Sequence, residues 1–136
     1  MSVQVLGGKM LKANADHVAR SLKEAEDPAA LAAAEPIKKR WEALVPVLDG
    51  NYRDSLTITW LKGSGKAAIG TAWLDRVPRN EQPVLYAKRL EIGDSEIAAQ
   101  PSMRPALKAA KDEAVEAGAV PLKTSLRGAN RRRVKA

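Results

Sequence analysis

The chain of 136 residues contains no cysteine and no phenylalanine, a single histidine, and five aromatic residues in all, three Trp and two Tyr. Without cysteine there is no disulfide framework and no thiolate chemistry, a composition suited to a reducing compartment and to cytosolic synthesis. One histidine, His17, beside Asp16 and without a second His, leaves a metal site short of ligands; it reads as solvated surface. Without Phe, the core must rest on Leu, Val, Ile, Ala and Trp, which predicts a small core completed by neighbours. Nowhere do about 18 apolar residues follow one another, and MSVQVLGGKMLK lacks the apolar run of a signal peptide. The chain therefore reads as neither membrane-spanning nor exported by a classical signal.

What the chain does have is positive charge, a net +7 from 23 Lys and Arg against 16 Asp and Glu. Its placement matters more than its size. Lys123, Arg127, Arg131, Arg132, Arg133 and Lys135 follow residue 122 with no acidic residue among them, so residues 1–122 carry 17 basic against 16 acidic groups. The expectation is one nearly neutral domain over 1–122 and a basic tail over 123–136. That tail reads either as a solvated terminus or as a contact for phosphates or an acidic partner, without sequence readout.

Leu11, Ala15, Val18, Leu22 and Ala25 recur at helical spacing and predict an amphipathic helix. Asp27-Pro28 reads as an N-cap followed by Pro at the first helical position, opening a second helix through Leu31, Ile37, Trp41 and Leu44. Pro36 should kink that helix. SLTITWL (55–61) and AAIGTAWL (67–74) alternate with period 2 across KGSGK and predict a β-hairpin, with the tryptophans in the core. Pro83 can start a short helix that Gly93 ends, and Ser102 can cap a last helix that stops at Gly118 or bends at Pro121, with another turn or two through Leu122 and Leu126. The fold class expected is α+β: two N-terminal helices, a small antiparallel sheet with a central β-hairpin, and a C-terminal helix packed on the sheet.

Catalytic and cofactor motifs find little support. GSGK (63–66) lacks a phosphate loop's other elements, because Trp60 stands where the first Gly belongs and Ala67 where Ser or Thr belongs; it reads as a turn. Glu91, between Leu90 and Ile92, is the one carboxylate placed for burial, but an ion pair with Arg89, Arg104 or Lys88 accounts for it as well as acid–base work does. No enzyme, cofactor or metal is expected. Five aromatics are too few for a base-stacking platform.

Three segments in order carry a resemblance. VPVLDGNYRDSL (45–56) precedes the hairpin, YAKRLEIGD (86–94) follows it, and QPSMRPALKAA (100–110) opens the last helix. Together they resemble the tail-completion or neck proteins of long-tailed bacteriophages, a family also described as minor tail components or head–tail connectors. The matching positions are Pro46, Gly50, Arg53, Ser55, Tyr86, Ala87, Glu91, Gly93, Pro101, Met103, Arg104, Pro105, Ala106 and Leu107. Leu48-Asp49 departs from the Asp-Thr usual before the Gly, and Ser102 from a common aromatic.

The resemblance implies a structural virion protein at the head–tail junction. It would form a homo-oligomeric ring, six copies preferred over twelve, between portal-adaptor or head-completion proteins and tail-terminator or tail-tube proteins. Gly93 and Pro101 would shape a loop, Tyr86 would pack at its edge, and Arg104 could pair with Glu91. Arg127, Arg131, Arg132, Arg133 and Lys135 would face packaged DNA or an acidic neighbour. The alternative is a small basic nucleic-acid-binding module acting through that C-terminal segment.

Overall fold

The computed structural model describes residues 2–46 and 50–131, with side chains described at residue 9 and from residue 11 onward within those ranges. Leu48, Asp49, Arg132, Arg133 and Lys135 lie outside the described residues. The elements are α1 (Ser2–Leu44), α2 (Asn51–Ser55), β1 (Leu56–Trp60), β2 (Ala67–Thr71), a 3-10 turn (Arg79–Glu81), α3 (Pro83–Ile92) and α4 (Met103–Arg131). The fold is α+β and mostly helical. β1 and β2 form a two-stranded antiparallel sheet in the register Leu56↔Thr71 to Trp60↔Ala67.

The two helices expected at the N-terminus are one. α1 runs for 43 residues through both Pro28 and Pro36, about 65 Å at the standard rise. Each proline removes one intrahelical bond and crowds the preceding turn. Packing of the small-residue faces of α1 and α4 outweighs that local penalty, since helices in proteins owe most of their stability to tertiary contact. The pair is antiparallel: Ser125 Oγ donates to Ser21 O at 2.5 Å, while 61 residues separate Trp41 from its partner Ser102 at the other end. Ala25, Ala106, Ala110, Ala114 and Ala129 are buried along the helices.

Asp27 is not an N-cap. Its carboxylate instead accepts the backbone N–H of Gly63 (2.5 Å) and Gly65 (2.9 Å), both glycines at positive φ, while Lys23 Nζ donates to Gly63 O at 3.1 Å. The N–H of Gly63, then that of Gly65, hold Asp27 below the usual carboxylate range. The KGSGK turn is thus a nest for an anion, and the anion is the protein's own carboxylate.

α4 also departs from expectation. It does not stop at Gly118; it passes Pro121 and continues through Leu122 and Leu126, as their spacing suggests, as far as Arg131, so that Lys123, Arg127 and Arg131 stand exposed on a helix. A Cβ at Gly118 would lie 3.2 Å from Ala33 Cβ and 3.3 Å from Ala29 O. Gly118 is therefore a point of close approach between α1 and α4, not where α4 stops. α4 packs along α1 rather than on the sheet, and α1 is the helix that carries the hairpin.

The core sits where α1 ends: Trp41, Val45, Tyr52, Leu56 and Ala106 are buried together, with Ile69, Tyr86, Ala87 and Leu90 packed around them. Of the three tryptophans only Trp41 is core, for Trp60 is 53% and Trp73 51% exposed. Trp60 closes the turn end of β1 and Trp73 lies past the end of β2, so neither sits where the sheet is covered. Gln82, fully buried, fastens the loop after the hairpin: its Nε2 donates to Leu74 O (2.6 Å) and Val77 O (2.7 Å), and its Oε1 accepts from Leu74 N (2.8 Å).

Replacing Gly118 with Val should force the helices apart and cost about 1–3 kcal/mol in urea unfolding. Gly128, whose added Cβ would meet nothing within 4 Å, is the control: Gly128→Ala should be neutral or stabilise by up to about 1 kcal/mol.

Candidate functional site

The three segments that carry the resemblance converge on Glu91. This side chain, 8% exposed near the end of α3, places its carboxylate at the N-terminus of α4. Its Oε2 accepts the backbone N–H of Ser102 (2.7 Å) and Met103 (3.0 Å), and Oε1 accepts that of Arg104 (3.0 Å). The four N–H groups left open at a helix start are normally satisfied by a side chain close in sequence or by water. Here a carboxylate from another helix takes that role, and its charge complements the helix dipole.

Burial is the largest single influence on Glu91 and pushes its carboxyl up. The N–H groups of Ser102, Arg104 and Met103, with the charge of Arg104, outweigh it, so the group lies below its ordinary value near 4.5. Within the chain Arg104 reaches Glu91 through its backbone N–H rather than through a side-chain ion pair. Arg89, another candidate, pairs with Asp94 (2.6 Å) and lies 3.7 Å from Glu96. A carboxylate with both oxygens engaged and its affinity for protons lowered is not poised for acid–base work near neutrality.

Relieved of capping its own helix, Ser102 is free to accept from Trp41 Nε1 at 3.0 Å in the buried interior. Trp41 meets the Tyr52 ring edge-on (6.5 Å, 64°), and Tyr52 meets Tyr86 (6.1 Å, 43°). A continuous path thus links α1, α2, α3 and α4. Ser55, 1% exposed, donates to Tyr52 O at 2.6 Å and closes α2. Gly50, at φ 78, occupies the N-cap of α2, with Arg53 against it and bonded to Asp54 at 3.4 Å. Pro46 follows the buried Val45.

Gly93 ends α3 at φ 77, a region that side chains rarely adopt, and a Cβ there would lie 2.7 Å from Ala99 N. The chain then folds back: Gln100 N donates to Leu90 O (2.6 Å), and Asp94 Oδ1 accepts from Glu96 N (2.9 Å) and Ile97 N (2.8 Å). This return places Ser102 over Glu91. Pro101, Met103, Arg104 and Pro105 are exposed around the junction; Pro105, in the first turn of α4, needs no intrahelical N–H.

Arg127 and Arg131 are not part of this cluster; they lie about 35–40 Å away along α4. His17, expected at the solvated surface, is half-buried, and its Nε2 is covered without a hydrogen-bond partner. Among the described residues no group of three His, Cys, Asp or Glu is gathered as a metal would require, and no helix is long and apolar enough to cross a membrane. Comparison with protein-family models, with curated proteins and with solved structures finds no match.

Trp41, Tyr52 and Gln82 are the members of this architecture that sequence reasoning did not single out as a site. Trp41 had a signal in its helical spacing. Gln82 had none, for a Gln in a polar loop looks like surface.

Glu91→Gln would turn an amide N–H₂ toward backbone donors and should cost about 2–4 kcal/mol at pH 7, read by urea unfolding. Because the folded pKa lies below the unfolded one, this stabilisation is complete above about 4.5 and is lost as pH falls through the folded value. The gap between wild type and Glu91→Gln should therefore narrow as pH descends from about 4.5; a constant gap would remove the carboxylate's charge from the account.

Proposed function

We propose that this chain is a structural subunit of a bacteriophage neck, a ring-forming protein that joins head-completion or portal-adaptor proteins to the tail and catalyses no reaction. The observation that carries the reading toward assembly is surface. The chain exposes 9938 Å², whereas a compact monomer of 14.6 kDa exposes about 6,900 Å². Part of the excess of about 3,000 Å² belongs to the long helix ends. The remainder is surface available for contacts with neighbouring subunits.

Much of that surface is apolar: Leu61 (74% exposed), Trp60, Trp73, Leu85, Ile92, Leu107, Val115 and Val120 all face outward. Such a load on a small chain supports a role in assembly, where these side chains would be covered by neighbours. The convergence of the three family-like segments on one junction supports the same assignment, because each segment then has a packing reason to be as it is. A ring of six copies would match a six-fold tail, and the virion's head–tail junction is the location that follows.

A second reading, a nucleic-acid-binding module, is favoured by one observation. Lys123, Arg127 and Arg131 form an exposed row on α4, and the antiparallel pairing brings Lys9, Lys12 and Arg20 of α1, also exposed, to the same end of the molecule. None of these six is in an ion pair with another described residue. Within the neck reading, this end would face packaged DNA.

Light scattering separates the two. A neck subunit should enter a discrete species of about six masses when mixed with its tail and head-completion partners; a chain that stays monomeric with every such partner would overturn the ring. If the basic end meets phosphates, affinity for duplex DNA should fall with salt, and Arg127→Ala with Arg131→Ala should reduce the log–log slope by about two. An unchanged slope would exclude that contact.

A further inference from the structure

Two hollows adjoin along β2. The larger, about 530 Å³, lies between α1, β2 and the start of α4, with Ile37, Trp41, Ile69 and Leu107 on its walls. The smaller, about 250 Å³, lies between β2, α3 and α4, bounded by Tyr52, Gly70, Ala87 and Ile92. Trp41 and Met103 belong to both. β2 lines each of them and β1 lines neither; the other side of β2 has no strand partner.

That side is an open edge. Ala72 N donates to Ser55 O at 2.8 Å, which fixes residues 55, 57 and 59 as the positions bonded across to 72, 70 and 68. In an antiparallel pair the alternate residues aim their N–H and C=O groups outward. On β2 these are Ala67, Ile69 and Thr71; on β1 they are Leu56, Ile58 and Trp60. Leu56 N–H is taken by Arg53 O. Among the described residues, the outward N–H groups of the other five have no backbone partner.

Native proteins blunt such edges with charge, proline or a covering element. LTITW and AAIGT carry no charge and no proline, and a two-stranded sheet alone is marginal in water. An unguarded edge beside apolar hollows fits an added strand, whose backbone pairs with the edge while its side chains enter the pockets.

We infer that the strand added to β2 is β1 of a second copy of this chain, so that neighbouring subunits share one continuous antiparallel sheet. This rests on the ring reading given above. The occupant follows from the hairpin itself, which has one open edge on each strand, so a head-to-tail contact of β1 on β2 satisfies both and can close a ring. Where the strands run close to the ring axis, rotation between neighbours leaves β1 of the next copy nearly parallel to β1 of the first, hence antiparallel to β2. Trp60 and Leu61, exposed at the end of β1, supply apolar surface for the contact, and the chain's excess area is large enough to include it.

Amide hydrogen exchange tests this residue by residue. In the monomer, Thr57, Thr59, Ala68 and Gly70 should be protected, whereas Ile58, Trp60, Ala67, Ile69 and Thr71 should exchange quickly. On ring formation the second set should slow by at least tenfold. If a ring forms and these five amides still exchange as in the monomer, the shared sheet is wrong while the ring reading stands. If no ring forms with any partner, the ring reading fails, and a peptide of sequence SLTITWL titrated onto the chain decides the edge. Slowed exchange at Ala67, Ile69 and Thr71 upholds the strand acceptor, and no change overturns it.

Discussion

The structure depends on one carboxylate meeting one helix end. Glu91 supplies from α3 the acceptors that the first turn of α4 lacks, and this fixes where a 29-residue helix begins and which way it points. The consequences spread by hydrogen bonding rather than by bulk. With its backbone N–H satisfied by Glu91, Ser102 accepts from Trp41, and Trp41 organises the aromatic contacts through Tyr52 to Tyr86. In a core otherwise rich in alanine, such directed contacts do much of the specifying that large side chains do elsewhere.

The same device appears twice. Asp27 caps the hairpin turn as Glu91 caps α4, each with a carboxylate accepting backbone N–H groups from a segment distant in sequence. Together they fasten the two regions that α1 alone could not hold: the tip of a narrow sheet and the base of the returning helix. Both carboxylates are held below their usual range by those donors, so both contacts weaken as the medium becomes acidic enough to protonate them.

This explains what the sequence could and could not disclose. The hairpin was legible because alternation has a period of its own, and α3 because Pro83 and Gly93 punctuate it. The unity of α1 was not. Asp27-Pro28 carries the chemistry of a helix start, and nothing local distinguishes a carboxylate that caps its own helix from one that caps a glycine turn 36 residues on. Gly118 likewise looks like a stop signal until Ala29 and Ala33 are placed against it. The sequence points to burial of Glu91 and offers Arg89, Arg104 and Lys88 as its partners, since pairing by charge is visible in a sequence and pairing with backbone N–H groups is not. The exposure of Trp60 and Trp73 is not legible either, because alternation reveals which residues share a face and says nothing of how far the covering helix extends.

The molecule therefore divides its surface unevenly. Around Glu91 and Trp41 the polar groups are satisfied and the aromatics packed, whereas the hairpin leaves both strand edges open and tryptophans half in solvent. A rigid joint that positions an unfinished sheet is a costly arrangement for an isolated chain, because open edges invite indiscriminate pairing. It becomes an advantage where the missing strand comes from an identical neighbour. The joint then sets the angle at which each copy presents its edge, and a fixed angle is what separates a closed ring from an open filament. Under the proposed ring, the residues grouped at the joint would govern assembly by setting geometry, and the surfaces that touch the neighbour would lie elsewhere, along strands that carry no distinctive motif.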